Sequence, residues 1–400
     1  MSFDRMWADL APVGRDPATG GYRRFAWTST DATLREWFAG EARGRGMDVV
    51  PDRAGNLWAW TSDPDAGGPG LVLGSHLDSV PDGGAFDGPL GIVSAFAAVD
   101  LLRERGVAPG RPIGIACFAD EEGARFGVAC AGSRLLTGVL DPDRARALTD
   151  DDGTPMAEAM SAAGTDPRWL GRDEEALRRI GTFVELHVEQ GRTLADVLGD
   201  AGAVGVASSI WPHGRWRLDL RGRADHAGTT RLDDRDDPML ALATAVREAR
   251  ASAARHGALA TVGKLRVRPN GVNAIASEIT AWLDARGPVE DDVRAVVAEV
   301  GAAAGTAPVE ESWTPDTPFE AALRDRLAML LAGADGAPAP VLPTGAGHDA
   351  GILAAAAIPT AMLFVRNPTG VSHSPAEHAE PADCRAGVEA MARVVEELAC

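Results

Sequence analysis

Basic residues are scarce and almost all of one kind. Lys264 is the only lysine among 39 basic side chains, set against 58 acidic ones, and the formal net charge is −19. So acidic a chain repels polyanions, which argues against nucleic acid and anionic membrane as partners. It says little about a small substrate, because a local basic pocket can sit on an acidic protein. Long apolar runs are missing too. No stretch reaches the ~20 residues that span a bilayer, and Met1-Ser-Phe-Asp-Arg-Met-Trp7 has no apolar signal-peptide core. Cysteine is limited to Cys117, Cys130, Cys384 and Cys400, with no C-x-x-C pair. Cys117 sits in a buried-strand pattern and reads as a small core residue. The expectation is a cytoplasmic protein with reduced thiols.

What is present is an ordinary globular balance, 45% hydrophobic and 24% charged over 400 residues. That length exceeds one common core, so two domains are expected. Neither an internal repeat nor a low-complexity segment occurs beyond Ala-rich helices. Leu34, Trp37 and Phe38 give residues 30–46 helical spacing, with Thr30-Asp31 as a cap. Residues 48–60 read as paired strands around the turn Ala54-Gly-Asn56. From residue 207 the order becomes strand 215–224, helix 237–256, strand 259–268, strand 277–286, helix 289–303 and strand 307–313. This β-α-β-β-α-β order is the ferredoxin-like pattern. The expected fold is therefore α/β: a mixed, mostly parallel sheet flanked by helices (residues 1–206 and 318–400), with an inserted α+β domain (207–317). Thr314-Pro-Asp-Thr-Pro318 reads as the return linker.

The stretch Gly74-Ser-His-Leu-Asp-Ser-Val-Pro-Asp-Gly-Gly-Ala-Phe-Asp-Gly-Pro-Leu-Gly91 follows the apolar run Leu71-Val-Leu73, a buried parallel strand. His76 and Asp78 point the same way on an extended strand end. That suits an imidazole metal ligand whose other nitrogen a carboxylate holds. Asp87 is a second possible ligand. Taken alone, H-x-D fits a turn with a surface histidine equally well. Ala116-Cys-Phe-Ala-Asp-Glu-Glu-Gly123 is a second buried strand, ending in three acids that need cations or solvent. Glu121 and Glu122 point apart, so one can bind metal while the other serves as a base. Thr182-Phe-Val-Glu-Leu-His-Val-Glu-Gln-Gly191 presents His187, Glu189 and Gln190, and Gly370-Val-Ser-His-Ser-Pro-Ala-Glu377 presents His373.

Seven segments in order, GSHLDSVPDGGAFDGPLG, FADEEGARFG, ELHVEQG, GRADHAGTT, PNGVNAIASE, LPTGAGHDA and GVSHSPAEH, resemble the ureido-acid amidohydrolases. These are the allantoate amidohydrolases and N-carbamoyl-L-amino-acid hydrolases of the dinuclear-metal aminoacylase and carboxypeptidase superfamily. The resemblance implies a catalytic domain with two divalent ions per subunit (zinc, manganese or cobalt) and an inserted lid that forms a homodimer. His76, Asp87 and His187 would hold one ion, and Asp87, Glu122 and His373 the other. Glu121 would be the general base and Asp78 would orient His76. Gln190, Asn273, Arg286 and His348 match substrate-contacting positions, with Arg286 on the substrate carboxylate. His226 would reach into the partner subunit, helping bind substrate or stabilise the oxyanion. A cis peptide at Asp87–Gly88 is also implied.

The chain departs from the family at two places. Arg231-Leu232 follows Thr229-Thr230 where Pro-Met is usual, and Phe364-Val-Arg-Asn367 replaces Phe-Val-Pro-Ser. Arg366 could bind a second anionic or ureido group, which tilts the expected substrate to allantoate, with an N-carbamoyl-L-amino acid next. A dipeptidase or aminoacylase is a further alternative, and an inactive metal-binding protein is the reading outside enzymes. Glu121 and all five candidate ligands count against the last.

Overall fold

A computed structural model describes residues 2–199 and 202–400. Its strands are β1 (Asp48–Pro51), β2 (Leu57–Trp60), β3 (Gly70–His76), β4 (Ile113–Phe118), β5 (Ile180–Val188), β6 (Val204–Ile210), β7 (His213–Arg221), β8 (Leu259–Arg268), β9 (Glu278–Arg286), β10 (Val309–Thr314), β11 (Thr317–Pro318), β12 (Val341–Thr344) and β13 (Thr360–Val365). Two compact units emerge, Met1–Ser209 with Pro318–Cys400, and Ile210–Thr317. The mixed α/β class read from the sequence is borne out.

The first unit is built on a sheet of order β1-β2-β4-β3-β5-β13-β6-β11, with β12 on β6. β4, β3, β5 and β13 are parallel neighbours. β1, β2 and β6 pair antiparallel. β3, β4 and β13 are buried at every residue, as strands covered on both faces must be. Cys117 is one of those core residues, at 5% exposure. The helix Pro89–Glu104 buries Leu90, Ile92, Val93, Phe96 and Leu102 in the same core as Leu71, Leu73 and Leu186. Each such side chain stabilises the fold by about 1.5–3 kcal/mol. The helix Ser29–Gly44 is capped two residues before the Thr30 read from the sequence, because Thr28 accepts the N–H of Asp31.

The second unit has a sheet of order β10-β7-β9-β8, antiparallel throughout. β7 and β9 alternate buried and half-buried residues, so one face meets the helices Pro238–His256 and Glu290–Ala304. Leu218, Leu220, Ile279, Leu283, Val293 and Val300 form that core. Asp237 caps the first helix and Gly257, at φ 62°, ends it.

Candidate metal centre

Four parallel strands deliver their C-terminal ends to one edge of the large sheet, where open α/β sheets bind ligands. β3 ends at His76, β4 leads into Asp120–Glu122, β5 carries His187, and β13 leads into the loop of His373. Asp87 arrives on the turn before the helix Pro89–Glu104. Gly88 in that turn has φ 84°, and a Cβ there would sit 2.5 Å from Cε1 of His76. Only glycine lets the backbone pass so close to the ring. The Asp87–Gly88 peptide is trans, correcting the cis bond that the resemblance implied; the one cis bond among the described residues is Arg268–Pro269. Gly88, at φ 84°, makes this turn with its peptide trans.

Asp87 is shared. Its Oδ1 lies 3.4 Å from Nε2 of His76 and 3.2 Å from Nε2 of His187, and its Oδ2 lies 3.3 Å from Nε2 of His373. Glu122 Oε2 is 3.6 Å from the same His373 nitrogen. His76, Asp87 and His187 thus form one cluster able to hold a metal ion, and Asp87, Glu122 and His373 a second. Glu185, His187 and His348 form a third such group. The His348 ring lies 4.4 Å from that of His187.

The rings are oriented from behind. Nδ1 of His187 contacts the carbonyl of Val188 at 2.9 Å, and Nδ1 of His76 contacts the carbonyl of Asp78 at 3.2 Å and its Oδ1 at 3.4 Å. Protons at Nδ1 leave Nε2 as a bare donor. Nε2 of both rings is buried with no hydrogen-bond partner. Buried nitrogens so disposed around a carboxylate fit a divalent cation. Asp78 also accepts the backbone N–H of Glu121 at 3.2 Å and of Glu122 at 3.1 Å, so one carboxylate sets both acids.

The electrostatics agree with that fit. Burial pushes Glu122 up to about 7, helped by the charge of Asp87. Burial likewise holds Glu121 well above the usual carboxylate range, against the pull of His76. Burial opposes the charge on Asp87, but the charge of the His187 ring beside it wins and holds it well below its ordinary value. His373 is raised to about 9; burial works against this, and Asp87 and Glu122 prevail. A metal bound at these donors would displace their protons.

Gln190 donates to Oδ2 of Asp87 at 2.7 Å. In the second unit, His226 and Asn273 are neighbours: a bridge joins His226 to Ala274, and the N–H of Ala227 meets the Asn273 carbonyl at 2.9 Å. Both are exposed. Arg286 lies at the opposite end of that sheet, since it pairs with His213 while Arg221 pairs with Glu278. Nine strand residues put about 27 Å between the two ends. Arg286 holds Asp284 with two bonds, 2.8 and 2.6 Å.

Arg366 does not serve as the extra anion receptor read from the sequence. It is 8% exposed, its Nε lies 2.8 Å from Oδ2 of Asp383, and it also bonds the carbonyl of Gly199. A paired buried guanidinium stays in its pair, since removing the partner leaves an uncompensated charge.

A model of peptidase family M20/M25/M40 matches residues 72–397. The chain belongs to this family. Together with the amidohydrolase relatives, this makes it a hydrolase acting on amide or ureido bonds. It is similar to the N-carbamoyl-L-amino acid amidohydrolase of Geobacillus stearothermophilus, 36% identical, covering 99% of this chain and 98% of that one. The allantoate amidohydrolase of Escherichia coli is 30% identical, over 98% and 96%. A crystal structure of a hydantoinase/carbamoylase-family amidase from Burkholderia vietnamiensis superposes with TM-score 0.90 at 28% identity, over 100% and 97%. No helix among the described residues is long and apolar enough to cross a membrane.

Some residues packed around these clusters escape a sequence reading. Glu185 is fully buried, with Ser75 and the Ala350 N–H on its carboxylate. Its signal was the alternation that puts it on the His187 side of β5. Cys130 offers its thiol to Oε1 of Glu121 at 3.3 Å. Residues before the family match also hold the ligand loop. Tyr22 exchanges backbone bonds with Gly83, Arg24 accepts the Ser79 N–H and donates its own to the Ser79 hydroxyl, and Arg23 and Thr19 reach Asp82.

Proposed function

We propose that this chain hydrolyses the ureido group of a small N-carbamoyl acid, an N-carbamoyl-L-amino acid in particular. The observation that carries the reading is the pair of donor clusters sharing Asp87, with Oε2 of Glu121 only 3.7 Å from Nε2 of His76. His76, Asp87 and His187 would hold one divalent ion, and Asp87, Glu122 and His373 the other; zinc, manganese and cobalt all suit these donors. When bound, such ions polarise the ureido carbonyl and acidify a water. Glu121 is the general base: it takes a proton from the attacking water and passes it to the leaving nitrogen. Asp78 keeps Glu121 and Glu122 in register through their backbone N–H groups. The products are the free amino acid, ammonia and carbon dioxide.

Gln190 and His348 stand beside the candidate ligands, suited to orient the carbamoyl group. Arg286, half-buried where Arg366 is buried, matches a carboxylate by its planar fork, and a substrate carboxylate would take the place of Asp284 on it. One small substrate cannot span about 27 Å of strand, so His226 and Asn273 of one chain do not meet the same molecule as its own Arg286. This supports a homodimer in which His226 serves the partner's site.

The tilt to allantoate depended on Arg366 as an anion receptor. Asp383 occupies that guanidinium, and the 36% relative is named for N-carbamoyl-L-amino acids. Both points favour the N-carbamoyl substrate. The test is ammonia release with Mn²⁺ from N-carbamoyl amino acids and allantoate, and release of free amino acid from N-acyl amino acids, each with and without chelator. Chelator-sensitive release from N-carbamoyl amino acids supports the reading. Turnover of N-acyl amino acids alone would replace it with an aminoacylase.

A further inference from the structure

Glu377 lies four residues beyond His373 and is buried, at 5% exposure. Oε2 accepts the backbone N–H of Phe86 at 2.8 Å and of Asp87 at 3.0 Å, and Oε1 accepts the hydroxyl of Ser372 at 3.0 Å. Ser372 also stands 3.3 Å from Oδ2 of Asp87. One more anion beside Asp87 is unfavourable by charge alone, and three donors offset that. The facing loop makes room for it. A Cβ at Gly84 would fall 2.3 Å from Oε2 of Glu377, so the approach depends on glycine.

We propose that Glu377 is a positioning residue for Asp87 and sets the relation between the two donor clusters. Holding two consecutive amides fixes the peptide plane from which the Asp87 side chain departs. The same carboxylate, through Ser372, ties the loop of His373 to that plane. Oδ1 is thereby aimed at His76 and His187 and Oδ2 at His373, across a separation of 290 residues between Glu377 and Asp87. The inference rests on reading Asp87 as the ligand shared by two ions. Because both clusters use Asp87, losing Glu377 weakens both ions together.

Calorimetric titration of the metal-free protein with Mn²⁺ tests this, alongside thermal unfolding of the same metal-free samples. Glu377→Ala is expected to weaken both ions by about 10- to 100-fold, the usual effect of removing a residue that orients ligands, with little change in the metal-free melting temperature. Glu377→Gln keeps a carbonyl for the two amides and should stay within about threefold of wild type. Gly84→Ala keeps the Glu377 carboxylate chemistry but its Cβ would collide with the whole Glu377 side chain and push it off the two amides, and should weaken both ions at least ~10-fold. His373→Ala, by contrast, should lose one ion only. Wild-type affinity in Glu377→Ala or in Gly84→Ala, loss of one ion only, or a Gln variant as weak as Ala would each overturn the proposal. If Glu377→Ala does not fold, Gly84→Ala decides. A wild-type protein that takes up no second ion sinks the two-ion reading itself, which separates the two failures.

Discussion

His187 and His373 reach opposite oxygens of one carboxylate: Nε2 of His187 is 3.2 Å from Oδ1 of Asp87, and Nε2 of His373 is 3.3 Å from Oδ2. Asp87→Ala removes the element common to both clusters. Elemental analysis after desalting should find no stoichiometric pair of ions in this variant. Two retained ions would show that Asp87 is not the bridge.

Glu121→Gln keeps the shape of the side chain and removes the proton acceptor. Metal content should stay at the wild-type level while kcat falls at least ~10²-fold. Near-normal turnover would transfer the base role to another group.

Arg286→Lys keeps the charge and loses the fork. Catalytic efficiency on the carboxylate substrate should drop about tenfold or more. An uncharged amide analogue should barely distinguish the two proteins. Equal efficiency on the acid would leave Arg286 as the partner of Asp284 and nothing more.

Mixing Glu121→Gln with His226→Ala under subunit exchange tests the shared site. In a mixed dimer one site receives both defects and the other neither. Half of randomly exchanged dimers are mixed, so about a quarter of wild-type activity should return. Activity that stays at the level of the separate variants places His226 within its own chain.

Glu299 and Asp292 on the helix Glu290–Ala304 hydrogen-bond the ring of His256, the last residue of the other helix of that unit, and raise its pKa. A raised folded-state value means stability present below the ordinary histidine range and lost as pH rises through the folded value. The difference in melting temperature between wild type and His256→Gln should therefore be largest under mildly acidic conditions and fade with rising pH. A difference that grows with pH contradicts the ion pairs.

Much of the scaffold was legible because it depends on local pattern. β7 and β9 alternate, so their burial periodicity marks them within a few residues, and β3, β4 and β13 announce themselves as short apolar runs. His76 and His187 could be placed at strand ends for the same reason. What escaped depends on partners far along the chain. Glu377 looks like a loop acid until Phe86 and Asp87 stand opposite it. Arg366 looks like an anion receptor until Asp383 is seen beside it. No period or short motif encodes a contact across 290 residues.

The turn carrying Asp87 is gripped from both sides of the sequence, by Tyr22 and Arg24 before it and by Glu377 after it. The second unit, by contrast, is one continuous stretch. During synthesis, when domains fold as units, residues 210–317 can collapse as soon as they leave the ribosome. The ligand turn gains its last restraint only when residue 377 has emerged, so its full ordering comes late in synthesis.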